Sequence, residues 1–456
     1  MKTKPHCNLA SSLCTAGLAF GKIAGRALCA LSAALITSSG VISSSSVEAG
    51  IYDVDIDSPQ FTLYTDPYNG NEIKLGGFSG LYPVPGKPDC FYTVTDRGPA
   101  PDFVDADAKA YKAWAIPRFG PHIVTLRMMP NGTVKVDDVK PLKKPGGGQI
   151  TGLPTSKPAT DVPYDFDLNV LPFDEDSLDA EGITIDPWGN FWVCEEYKPS
   201  VAKIGPNGKV LLRLVPAGTR TGLETVDTYD VLPAVLAKRR NNRGLEGITA
   251  AADGTLYCIM QRPLNNPNRT AADANGNGRL LAINLNNLNN VIHGGTAPLI
   301  RQYVYQMPAG NGSVTLSDLF STGPGRILVP ERGTDKLFEI NVAGATDITP
   351  LENAAGKLIA DPSKTLEQLT PAGLATFGIV PVTKKVILES ITAISPLLDK
   401  VEGVCVVGNT IVFTYDNDFN VADAGSIPAN PNPNGPLIQL ELLGANYPKL
   451  FTVPMP

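Results

Sequence analysis

The dipeptide Glu-Gly opens three apolar runs, as Glu181 in "DAEGITI", Glu246 in "GLEGITA" and Glu402 in "KVEGVCV". Each run is followed by a turn and a second apolar run that ends in polar residues: "CEEY" (Glu195, Glu196), "MQRP" (Gln261, Arg262) and "YDND" (Asp416, Asn417, Asp418). Two related phrases begin with Ser79 and Ser317 and end in "TDRG" (Asp96, Arg97) and "PERG" (Glu331, Arg332). Brought together, Glu181, Glu246 and Glu402 would raise one another's pKa strongly unless they took up a cation, because like charges a few ångströms apart repel. Beyond residue 49 the chain has only His122 and His293, so the donors are oxygen and point to Ca²⁺, with Mg²⁺ as the alternative. Glu181, Glu246 and Glu402 are therefore the candidate metal ligands, and Glu196, Glu331 and Asp416 the candidate catalytic carboxylates. Asp96, Arg97, Glu195, Arg262 and Arg332 are the candidate substrate contacts, since guanidinium groups beside a metal suit a phosphate or carboxylate. The same acid and arginine pairs would also serve as buried ties between neighbouring repeats.

Positioning these residues requires a repeated element. Five copies of one hairpin begin at Ser79, Glu181, Glu246, Ser317 and Glu402, each with an apolar run, a Gly- or Pro-containing turn and a second apolar run. Further strands follow several copies, such as "SVAKIGPNG" and "KVLLRLV", "RLLAINL" and "RQYVYQM", or "DKLFEIN" and "KKVILES". This predicts an all-β chain, a β-propeller of four-stranded blades whose innermost strands line a central channel. Five blades are visible, and "QFTLYTD" with "LFTVPM" would either build a sixth or close the ring. Symmetric pairing about each turn makes Glu181 and Glu196, Glu246 and Gln261, or Glu402 and Asp416 cross-strand neighbours at one mouth of that channel. Long loops are expected in 145–178, 221–243, 351–383 and 424–436, and 50–456 reads as one domain.

Composition narrows the function classes. The formal net charge is −7 and becomes more acidic without the basic N-terminal segment, so nucleic acid and anionic membranes are not expected partners. Residues 1–49 read as an export signal: Lys2, Lys4, Lys22 and Arg26 precede an apolar stretch, and small residues end it at Ala49. A secreted or periplasmic monomer is expected, with no stable membrane span after cleavage. Cys90, Cys194, Cys258 and Cys405 remain, each inside an apolar run, and read as buried thiols with room for one or two disulfides in an oxidising compartment.

"DANGNG" at Asp273 begins like a calcium loop, but Asn284 stands where a bidentate glutamate is needed, so it reads as a polar loop tip. Asp174, Glu175, Asp176 and Asp179 read as a solvated acidic loop with the capacity to add ligands. "GGFSGL" lacks the spacing of a nucleophile elbow, and phosphate loops, dinucleotide fingerprints and HExxH are absent.

The ordered phrases "GGFSGL … VTDRG", "DAEGITI … VCEEY", "NRGLEGITA", "VTLSDL … ILVPERGTDKLFEI" and "KVEGVCVV … YDNDFN", across residues 76–445, resemble the phytase-like family of secreted bacterial proteins described as having esterase-like activity. That resemblance implies a β-propeller and hydrolysis of ester or phosphoester bonds in a small-molecule substrate. The chain differs from calcium-dependent propeller phytases in its acidic charge and in lacking a Lys and Arg cluster suited to a highly phosphorylated inositol. The expected activity is thus an exported metal-dependent hydrolase of phosphate esters or related esters. A calcium-dependent propeller lactonase and a non-catalytic propeller that binds a protein or polysaccharide are the alternatives.

Overall fold

The computed structural model describes residues 49–104, 110–426, 436–444 and 446–456. The expected export signal, apart from Ala49, lies outside them, as does most of the expected loop at 424–436.

The runs quoted above are strands because they are rich in β-branched and aromatic residues and are punctuated by glycines that supply positive φ, such as Gly189 and Gly254, both at +84°. They assemble into five blades. Blade 1 comprises Phe78–Pro83, Cys90–Thr95, His122–Met128 and Val134–Pro141; blade 2 comprises Ala180–Ile185, Phe191–Glu195, Ser200–Ile204 and Val210–Pro216, with Thr228–Leu232 added in parallel. Blade 3 comprises Leu245–Ala250, Thr255–Met260, Asn277–Asn284 and Ile300–Gln306. In blade 4 the inner strand is split into Thr315–Leu316 and Phe320–Gly323, followed by Arg326–Arg332, Lys336–Asn341 and Thr383–Leu388. Blade 5 takes Val401–Val407, Thr410–Tyr415 and Lys449–Pro454 and is completed by Gly50–Asp55. The inner strands touch in ring order, blade 5 against blade 1.

The chain ends therefore complete the fifth blade, and no sixth is formed among the described residues. The closing partner of Lys449–Pro454 is Gly50–Asp55, not "QFTLYTD", whose Thr62–Thr65 pairs with Glu72–Lys74 in a separate hairpin. Val54 and Asp55 also pair in parallel with Val134 and Lys135, which joins blades 5 and 1 into one eight-stranded sheet.

Both faces of each blade pack on a neighbour, which is why middle strands such as "TLYCIM" and "TIVFTY" are buried along almost their whole length instead of alternating. Five apolar clusters fill the five gaps between neighbouring blades; Cys194, Leu214, Ile248 and Leu281, for example, meet between blades 2 and 3. Cys90, Cys194, Cys258 and Cys405 are all buried free thiols, and the expected option of disulfides is not taken up. "DANGNG" is not a loop tip: it ends the helix Arg269–Asn275 and starts a strand, with Asn277 buried and donating to Leu366 O (2.9 Å) and Leu369 O (2.7 Å).

Candidate functional site

Each inner hairpin carries one extra residue on its inner strand, at the same level in blades 2, 3 and 5. Pairing steps from Ala180↔Glu195 to Gly182↔Cys194, from Leu245↔Met260 to Gly247↔Ile259, and from Val401↔Tyr415 to Gly403↔Thr414, so Glu181, Glu246 and Glu402 are the bulged residues. Blades 1 and 4 also carry one extra residue, between Leu316 and Phe320 in blade 4 and further along the strand in blade 1, between Ser79, still paired with Val94, and Tyr82. A bulge turns a side chain out of the ladder, here toward the axis. The symmetric pairing expected from the turns is thereby corrected: the partner of Glu196 is Asp179, whose carbonyl accepts the Glu196 N–H at 3.0 Å, and Asp416 pairs in the same way with Lys400 at 3.3 Å.

The glycine after each glutamate lets inner strands meet around the axis. A Cβ on Gly247 would lie 2.6 Å from Ser317 O, and one on Gly403 2.9 Å from the Gly80 carbonyl carbon. In blade 4 this position is Asp318, which is fully buried and closes the channel below the mouth. Its carboxylate accepts the amides of Leu319 (2.8 Å), Leu81 (3.0 Å) and Val404 (3.2 Å), from three different blades. Burial pushes its pKa well up, and these amides pull it back.

Above Asp318 lies a cavity of about 210 Å³. Glu181, Glu246 and Glu402 all line it, together with Asp96, Arg97, Glu196, Arg332 and Asp416. Three expected site residues do not. Glu195 points the other way from Glu196, as alternation along a strand requires, and is held by Arg213 (3.3 Å), Ser200 Oγ (3.3 Å) and the Lys198 amide (2.7 Å). Glu331 pairs with Leu316 and so occupies the register of Glu195; it is buried against the Tyr305 hydroxyl (2.7 Å) and Lys384, and Arg332 takes the inward position. A one-residue slip in aligning blade 4 exchanges the two faces. Arg262 is buried behind the mouth, its pKa brought down to about 10 by burial and then by Arg240.

The three expected ligands line the cavity with different partners. Glu246 accepts from Gln261 and Glu402 from Arg332, whereas Asp179, Glu181 and Glu196 bring three carboxylate oxygens within 4.8 Å of one another. Asp179, Glu175 and Asp176 are buried, so the acidic segment is not a solvated loop. Asp179 is fixed by the Arg97 amide (3.1 Å) and guanidinium (2.7 Å), while Glu196 lies 3.8 Å from Arg97 and 3.6 Å from Arg243. Reading the repeats two residues upstream of each bulge, at Asp179, Gly244 and Lys400, would have found Asp179 and Lys400; Arg243 comes from an inserted loop and carries no repeat signal.

Seven lining acids face four lining bases. Burial, followed by Asp179, Glu246 and Glu196, pushes Glu181 well above the ordinary carboxylate range. Burial and Asp179 raise Glu196 to about 7 against Arg243 and Arg97, and burial with Glu196 and Glu402 raises Glu246 well up. Asp416 goes the other way, because Lys400 at 2.8 Å and its hydrogen bonds outweigh burial. Glu196 Oε1 and Glu246 Oε2 are buried without a hydrogen-bond partner.

This arrangement of five repeated hairpins coincides with a known sequence family. A profile described as phytase-like, "Esterase-like activity of phytase", matches residues 73–419. The chain belongs to the phytase-like family. An uncharacterized secreted protein of Arthroderma benhamiae is 32% identical over 167 residues, covering 30% of this chain and 32% of that relative. The chain thus spans under a third of the length of that curated relative. Among solved structures, a catalytically inactive virginiamycin B lyase from Staphylococcus aureus is 12% identical and covers 75% of this chain and 93% of its own, with a TM-score of 0.30. The periplasmic gluconolactonase of Pseudomonas aeruginosa is 13% identical over 86% of this chain and 94% of its own, with a TM-score of 0.29.

Proposed function

We propose that the axial mouth of this phytase-like propeller is the active site of an exported, divalent-cation-dependent hydrolase acting on small phosphate esters or related esters. The observation that carries this reading is the cluster of Asp179, Glu181 and Glu196 oxygens within 4.8 Å, beneath the guanidinium groups of Arg97 and Arg243. The residues fit a hard cation: every donor is a carboxylate oxygen, and Glu196 Oε1 and Glu246 Oε2 are buried without a hydrogen-bond partner. Ca²⁺ or Mg²⁺ held by Asp179, Glu181 and Glu196 would supply Lewis-acid polarisation of the phosphoryl or carbonyl oxygen.

The chain's own groups do the rest. Arg243 and Arg332 line the cavity and neutralise negative charge that develops on the ester oxygens. Glu246, with its free Oε2, takes a proton from the attacking water. Asp416, held ionised by Lys400, keeps that lysine at the wall of the cavity. Export rests on the N-terminal sequence and on the relative described as secreted; among the described residues no helix is long and apolar enough to cross a membrane.

Turnover of 4-nitrophenyl phosphate by the purified protein tests this. Chelation and Glu181→Gln should each lower kcat/KM by about 100-fold or more with the circular dichroism spectrum unchanged, and Ca²⁺ should restore only the wild type. Activity confined to a lactone panel would move the assignment to a propeller lactonase. Absence of turnover on any ester would leave a binding propeller.

A further inference from the structure

One gap between blades holds an arginine with its acid, and another holds the arginine alone. Arg97 ends the second strand of blade 1 and is clamped by Asp179, two residues before the bulged Glu181 of blade 2. Arg262 occupies the position of Arg97 in blade 3: the residues before them, Asp96 and Gln261, donate their N–H groups to Gly77 O (3.0 Å) and Gly244 O (2.9 Å) of their own inner strands. In the next blade the counterpart of Asp179 is Thr315, paired with Arg332, and it brings no charge. Arg262 is 8% exposed, its Nε is buried without a hydrogen-bond partner, and among the described residues it forms no ion pair. A guanidinium withdrawn this far from water is costly unless an anion meets it.

A turn brings more positive charge to it. Arg240 and Arg243 are bridged partners across a two-residue turn, which Arg239 anchors on Tyr197 O (2.6 Å). The side chains of such a pair start about 5 Å apart. Arg243 enters the axial cavity, 3.6 Å from Glu196. Arg240 leaves it: Nε donates to Pro263 O (3.1 Å), beside Arg262, and Nη2 pairs with Asp273 (2.7 Å), while Nη1 is buried without a partner. Asp273 is shared with Arg269 (3.4 Å), whose side chain is 69% exposed, so the cluster ends at the surface. The charged groups around Arg262 are therefore Arg240, Arg243 and Arg269 against the single acid Asp273.

Resting on the hydrolase reading above, we propose that Arg240 and Arg262 hold a second oxyanion of the substrate, a carboxylate or a further phosphate, while the ester phosphate lies in the axial cavity at Arg243 and Arg332. The two positions diverge from one bridged pair, so the anionic groups belong to one small molecule and are joined by a short linker. Guanidinium groups take either oxyanion through paired N–H donors. A cluster with this excess of positive charge selects an anion over a neutral hydroxyl.

Inorganic phosphate titrated into the metal-stripped protein, dialysed free of chelator, tests the position without turnover, because the axial carboxylates then have no cation to attract it. The wild type should bind phosphate, and Arg262→Gln should weaken that binding about 10-fold or more. Since Arg262 makes no bond within the protein, the variant should melt no lower than the wild type in phosphate-free buffer. With Ca²⁺ restored, glycerate 3-phosphate is compared with glycerol 3-phosphate, which has a CH₂OH in place of the carboxylate. The wild type should favour the glycerate about 10-fold or more in kcat/KM, chiefly through KM, and Arg262→Gln should remove that preference while glycerol 3-phosphate changes less than about threefold. A wild type that binds no phosphate or shows no preference for the glycerate, a variant that binds phosphate as well as the wild type, or one that melts lower would overturn the oxyanion position, and turnover of glycerol 3-phosphate would leave the hydrolase reading intact. Phosphate binding that depends on Arg262, with neither ester turned over, would support the oxyanion position and overturn the hydrolase reading.

Discussion

At the scale of single residues, the site is an excess of buried carboxylate held in place by arginine and lysine, so its protonation is a shared property. Glu181, Glu196 and Glu246 all have raised pKa values, which means the folded cation-free protein holds protons that the unfolded chain has released. By linkage their contribution is fully present below the ordinary glutamate range and is lost as pH rises, for Glu196 across the window from about 4.5 to about 7. In chelator the melting temperature should therefore fall between pH 5 and pH 8, and Ca²⁺ should raise it more at pH 8 than at pH 5. A calcium shift that is equal at both values would contradict the cluster. Glu181, Glu196, Glu246, Glu402 and Asp416 were legible in the sequence because a polar residue opening or ending an apolar run in each repeat has few places to go. Glu331 was misplaced because adjacent positions on a strand face opposite ways, and one residue of alignment decides between them.

At the scale of the hairpin, the bulge makes the site. Periodicity of two counts alternation but cannot show where one residue is doubled, so the repeated "EG" was visible while its geometry was not. Asp318 was hidden similarly, because it replaces glycine in the one inner strand that the structure splits. Its amides come from strands distant in sequence, Phe78–Pro83 and Val401–Val407. Asp318→Asn presents an amide donor to at least one of those N–H groups and should destabilise the fold by about 1–3 kcal/mol, read as a lower midpoint in urea. Gly247→Ala, which drives a methyl into Ser317 O, should cost a similar amount, about 1–3 kcal/mol. An unchanged midpoint in both would mean the inner strands do not meet as described.

At the scale of the molecule, five blades were visible in the repeats, while the choice between a sixth blade and a closed ring was not, because the closing strands Gly50–Asp55 and Lys449–Pro454 stand outside every repeat copy. Phe451 is buried in that closure between blades 4 and 5. Phe451→Ala should cost about 3–5 kcal/mol, as large-to-small changes in a packed core do, and thermal unfolding should show it. Closure in turn is what brings Arg97 of blade 1, Arg332 of blade 4 and Glu402 of blade 5 around the same cavity as the Asp179, Glu181 and Glu196 cluster of blade 2. Calorimetric titration of the chelated protein with Ca²⁺ at pH 8 tests that cluster most directly. The wild type should bind at a defined stoichiometry, and Asp179→Asn and Glu181→Gln should each abolish the heat. A wild type that takes up no Ca²⁺ or Mg²⁺, or variants that bind as it does, would contradict it.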